Sequence, residues 1–269
     1  MENRRILGWV AIPVLALALA ACGQKDGKPA EPKPQGAKLS KQELSDLGAK
    51  VLKNTYKKYD DKKACWLAQG ADNKTSYCMK VASVESVMTD EGEKVYLLAT
   101  GEKVDGEKAE KAKGMVGMFA VKPENGEYKV IAQAQHAEVP DGTPEGAFVQ
   151  LGKNVYGWKI EKNTSEQGQN IGGVAFYGVQ NDQVKDMGSV QTVYDDTAAA
   201  EPDAKVSRVT KLEGKVEVDK TDESAEHYPL TVTVSGEMDG KKLSPRKYAI
   251  KFSSQQGQYV PPKDYPIVE

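Results

Sequence analysis

One stretch of this chain has helical spacing, and almost everything after it alternates like strands. Any fold must accommodate both, in that order. Between Ser40 and Tyr59 apolar residues recur at Leu44, Leu47, Val51, Leu52, Tyr56 and Tyr59, the spacing of one helical face. The start is well punctuated. Ser40 is placed to cap, Glu43 to complete a capping box, and Leu39 to meet Leu44 as a hydrophobic staple. Lys50, Lys53, Lys57 and Lys58 crowd the far end, where positive charge complements the helix dipole. They read as a solvated helix end before they read as a contact for anionic headgroups.

From Tyr77 the period changes to two. Met79, Val81 and Val84 mark one strand region, and Val95 to Ala99 a second. The charged run 102–114 is expected to be an exposed loop. Met115 to Val121 and Tyr128 to Ala134 flank Pro123-Glu124-Asn125-Gly126, where Asn-Gly signals a hairpin turn. One helix followed by about four antiparallel strands predicts an α+β domain over 38–137. In element order it resembles a cystatin-like or nuclear-transport-factor-like arrangement.

The run 138–146 holds Pro140, Gly142, Pro144 and Gly146, which interrupt any regular element, and is expected to be a linker. Beyond it the pattern is all β. Tyr156, Trp158 and Ile160 alternate with Gly157 and Lys159, and Val174, Phe176 and Gly178 follow. Later come Val190 to Tyr194, Val206 to Val218, and the series Leu230, Val232 and Val234. An Asp239-Gly240 turn leads to Tyr248, Ile250 and Phe252. Short strands at this spacing predict a sandwich or half-open barrel over 147–269. Each side of the linker exceeds about 90 residues, enough for a core of its own, so two separate cores are expected.

Residues 1–21 have the parts of an export signal: Arg4 and Arg5, an apolar run from Ile6 to Leu19, and Ala20-Ala21. Gly8 and Pro13 interrupt the run, which is at or below the roughly 17–25 residues that a span needs. Leu19-Ala20-Ala21-Cys22 at its end resembles the lipobox of bacterial lipoproteins. The resemblance implies that residues 1–21 are removed and that Cys22 becomes the lipidated first residue. It would carry a diacylglycerol thioether and an acyl chain such as palmitate on its amine. At about 0.8 kcal/mol per buried CH₂, two or more chains anchor stably. In Gram-negative lipoproteins an Asp after the Cys typically retains the protein at the inner membrane. Gly23 in that place implies the outer membrane, if the source is Gram-negative. Residues 22–37 are rich in Pro, Lys and Gly and read as a tether. At about 3.1 Å per residue it could reach roughly 45 Å.

The chain has three cysteines. With Cys22 lipidated, Cys65 and Cys78 are left as a pair in an oxidising compartment and are expected to form a structural disulfide. No histidine lies near enough to complete a zinc set, and the spacing is far from Cys-x-x-Cys. Trp66, inside the closed loop, is a possible binding contact, although packing over the disulfide is the plainer reading. Tyr156, Trp158 and Tyr177 are further possible contacts, against the general tendency of strand aromatics to face a core.

Residues 23–58 hold nine Lys against Asp26, Glu31, Glu43 and Asp46, so the rest of the chain is acidic. An acidic body under a near-neutral total argues against nucleic acid as a partner. His136 and His227, the only histidines, read as surface residues rather than bases. No nucleophile elbow, phosphate loop or dinucleotide fingerprint occurs. Gly168, Gly172, Gly173 and Gly178 lie among strands, where Gly marks bends or bulges. No catalytic residue, metal ligand or cofactor is assigned. The expected protein is anchored to the bacterial cell envelope by its N-terminal lipid, with a non-catalytic binding or scaffolding role towards an envelope protein or polymer. An envelope hydrolase with dispersed catalytic residues and a small-ligand carrier with a cavity in the β domain are the alternatives.

Overall fold

Helix α1 (Lys41–Tyr56) begins where its capping box predicts. The Ser40 hydroxyl accepts from the Glu43 N–H, and the Glu43 carboxylate accepts from the Ser40 N–H at 2.8 Å. The helix ends at Lys57, whose φ of 62° turns the chain away. A computed structural model describes residues 39–104, 113–124, 127–140, 144–199 and 209–267. The signal, the lipobox, the tether, the Asn125-Gly126 turn and the middle of the 102–114 loop lie outside those residues.

Two antiparallel sheets follow. The first has the order β1 (Lys58–Asp60), β2 (Cys65–Gln69), β3 (Ser76–Thr89), β4 (Gly92–Lys103), β5 (Gly114–Glu124) and β6 (Glu127–Val139). The second comprises β7 (Gly146–Gln150), β8 (Tyr156–Glu166), β9 (Gln169–Gln180), β10 (Gln183–Asp195), β11 (Lys211–Val218), β12 (Leu230–Met238), β13 (Lys241–Ser253) and β14 (Gln258–Val260). Within each sheet, strands consecutive in the chain pair with each other; β6 and β7, in different sheets, do not.

This corrects the expected fold class. The body is a mostly β structure of two sheets carrying one helix, not an α+β domain of cystatin-like or nuclear-transport-factor-like order. Two causes hid this. β1 and β2 precede and enter the disulfide loop and are too short to show alternation. The helix covers one face of the first sheet, while the second sheet covers the other. The expectation of a sandwich or half-open barrel beyond the linker fits the second sheet.

The central strands show how this layering arises. Along β4, Val95, Leu97 and Ala99 face the helix-side core, and Tyr96 and Leu98 face the opposite one. On β5, Met115, Phe119 and Val121 face the helix side while Val116, Met118 and Ala120 face away. An antiparallel strand with an unbroken apolar run needs cover on both sides. Leu47, Val51, Leu52 and Tyr56 supply it on one face, and the Tyr56 hydroxyl donates to the Gln135 carbonyl at 3.2 Å. Trp158 and Ile160 of β8 supply it on the other. That layer draws on both sides of the expected linker, so the two halves share a core besides the ones each has for itself. A third core, including Phe176, Val190, Leu230, Val232, Ile250 and Tyr259, fills the curl of the second sheet.

Candidate binding cleft

The second sheet does not stay continuous. β10 and β11 pair only through Val193–Glu213, Tyr194–Leu212 and Asp195–Lys211. Beyond that point β11 keeps its ladder with β12 as far as Val218, and β10 turns away. The cause is a bulge between Gln191 and Val193, opposite Gly173 and Gly172 of β9. Backbones approach so closely there that a Cβ on Gly173 would stand 2.8 Å from the Val190 carbonyl oxygen. Thr192, the bulged residue, is the one buried polar side chain among the described residues.

The split opens into a cleft of about 670 Å³, within the usual range of ligand pockets. Phe176, Val174 and Thr192 form its floor, and Phe148 and Val149 reach it from β7. Gly214 to Val218 form one wall. Each wall carries both signs of charge: Lys159 and Glu161 on β8, and Lys215 and Glu217, paired at 2.6 Å, on β11. Strand alternation accounts for each pair, since residues two apart share a face. The Lys215 ammonium holds the Glu217 carboxyl below its usual range.

Two smaller grooves flank β6. One, about 360 Å³, lies against the C-terminal half of α1, and the other, about 420 Å³, lies against the β9–β10 turn. β6 is an edge strand, but register shifts interrupt it twice, a device that blunts an edge against pairing.

The residues expected from sequence are placed as follows. Cys65 and Cys78 form the disulfide, with Cα atoms 5.4 Å apart, tying β2 to β3. Cys22 lies outside the described residues. Trp66 is half-buried against the helix-side core, with its ring 4.7 Å from that of Tyr59, which is exposed. Trp158 is fully buried between the sheets, and Tyr156 and Tyr177 pack half-buried against the same layer. The three share a face, and it is the face turned to the first sheet, not one open to a partner. Trp158 offers no contact to a partner while the sheets are packed. Its place is in an aromatic cluster with Tyr96, at 5.7 Å, which also holds Phe148 and Tyr156.

His136 stands on β6. His227 is half-buried, stacked on Phe252 with centroids 3.8 Å apart, and is not the surface residue expected. Among the described residues no cluster of three or more His, Cys, Asp or Glu could hold a metal ion. No helix among them is long and apolar enough to cross a membrane. The cleft residues escaped the sequence reading because their signals, two Lys-x-Glu triplets and a Gly-Gly pair, are ordinary in exposed strands. Comparison of the chain with protein families, curated proteins and solved structures finds no match.

Proposed function

We infer that this is a lipid-anchored protein of the bacterial cell envelope whose folded body binds a partner, a protein or an envelope polymer, without chemical change. The observation that carries the binding part is the cleft in the split sheet, with its apolar floor and its two rims of mixed charge. Such a surface can dehydrate a guest over the half-buried Val174 and Val216 while Lys159, Glu161, Lys215 and Glu217 orient its polar groups. The envelope part rests on the lipobox-type Leu19-Ala20-Ala21-Cys22 and the tether after it. The outer membrane is the proposed site if the cell is Gram-negative.

Site-specific photo-cross-linking in intact envelopes tests the reading. A photoreactive residue in place of Val216, inside the cleft, should give discrete adducts, and one in place of Lys185, on the far β9–β10 hairpin, should not. Cys22→Ala should abolish acyl labelling and release the body from the membrane fraction. Adducts from Lys185 alone would remove the cleft from the proposal. Unchanged labelling of Cys22→Ala would remove the anchor.

A further inference from the structure

On one side β11 is left without a neighbouring strand along most of its length, and that decides what can complete it. Its eight residues all pair with β12, yet β10 meets only Lys211 to Glu213. Gly214 still lies against the Thr192 backbone, but beyond it Val216 and Val218, which turn their backbone groups to the side once facing β10, are paired with no strand there among the described residues. All five residues from Gly214 to Val218 line the cleft. The β10 side of the split is different: the Tyr265 hydroxyl donates to the Gln191 carbonyl, and β14 lies against Gly188. Of the two strands that part at the split, β11 is the one left with an open edge. On the facing wall β7 ends its sheet, with no strand paired on its outer side among the described residues.

Backbone N–H and C=O groups in a partly apolar cleft need partners. Another extended peptide supplies both groups at strand spacing, whereas the hydroxyls of a glycan do not repeat that pattern. We propose that an extended peptide segment of a partner protein docks in the cleft by adding a strand to the Gly214–Val218 edge of β11. At about 3.3 Å per residue the edge spans roughly 16 Å, the length of about five residues. The half-buried Val174, Val216 and Val218 take the inward side chains. Opposite charges sit together on each wall, so a segment of low net charge fits better than a block of one sign. The chain's own tether is a poor occupant, because Pro29, Pro32 and Pro34 cannot donate to a ladder.

This rests on the cleft being the binding site, and the test separates the two claims. Random seven-residue peptides are selected on the full chain in detergent. The enriched peptide is then compared with two twins, each N-methylated on one alternate set of amides. One twin should bind at least tenfold more weakly and the other nearly as well, since a strand turns alternate amides to its neighbour. Amide exchange at Val216 and Val218 should slow in the complex, with Lys215 and Glu217, whose amides turn to β12, little changed. Val174→Glu should weaken binding at least tenfold without altering the far-ultraviolet circular dichroism. Equal binding by both twins, protection elsewhere, a dimer of the chain closing the cleft, or no enriched peptide would each overturn strand addition. If a chito-oligosaccharide slows exchange at Val216 and Val218 where no peptide does, strand addition fails and the cleft reading stands. If neither probe protects the cleft and Val216 gives no cross-link, both fail.

Discussion

His227 shows how surroundings set the charge of one side chain. Burial against Phe252 pushes its pKa below the ordinary histidine value, in opposition to the weaker pull of Glu226. The amide nitrogen of Gln180 lies 3.2 Å from its Nε2, so the neutral ring accepts there, and protonation would set two donors face to face. The folded pKa is depressed, so the unfolded chain binds more protons as pH falls. The stabilisation is complete above the unfolded value of about 6.5 and declines below it. Thermal unfolding between pH about 7 and about 5 should therefore fall more steeply in the wild type than in His227→Phe, which keeps a stacked ring. Parallel slopes would show that His227 does not carry the effect. Steric closeness governs Gly157 instead: a Cβ there would stand 1.8 Å from the Tyr177 carbonyl oxygen, within the β8–β9 ladder. Gly157→Ala should cost at least about 2 kcal/mol in denaturant unfolding.

At the scale of elements, the helix was legible because its signals are local. The capping box, the apolar stripe and the terminal lysines all lie within twenty residues, and α1 obeys them as far as Tyr56; Lys58 and Tyr59, read as its last turn, stand on β1 instead, with Tyr59 exposed. Ser40→Ala should lower stability by about 1 kcal/mol; no change in the unfolding midpoint would mean that the first turn is held by packing of Leu44 alone. The disulfide was legible for a different reason, since only one pairing remains once Cys22 is set aside. Its reduction should cost about 3 kcal/mol and loosen β2 before the rest of the first sheet, as read by amide exchange. What could not be read were the short or uneven strands. β1 and β14 have three residues each, and β7 is half-buried throughout, so none of them shows a period. The cleft was hidden more deeply. It exists because β10 and β11 stop pairing at a bulge, and a missing pairing leaves no mark in the alternation of either strand. The aromatics of β8 and β9 do alternate, which showed that they share a face but not that another sheet covers it.

For the whole molecule, the decisive layer is the one that Trp158 and Ile160 make with Tyr96, Leu98 and Met118. Cutting the chain near 138–146 leaves that layer intact, but removing one half opens it to water. Nicked protein should therefore run as one species in gel filtration. Residues 147–269 expressed alone should unfold at a lower temperature than the intact chain. A fragment as stable as the whole would show that the shared layer contributes little.

The consecutive pairing of strands has a kinetic consequence. When each strand's partner is the next one along, hairpins form by closing short loops, and the sheets can zip up from the first residues onward. The exceptions come late in the chain. The Tyr259 hydroxyl donates to the Leu151 carbonyl across 108 residues, and the Tyr265 hydroxyl reaches Gln191 across 74. A chain emerging from its amino end can thus build most of its ladders one after another, while the curl of the second sheet waits for Tyr259 and Tyr265. Tyr259 and Tyr265 act as a latch that closes only after the ladders it joins have formed.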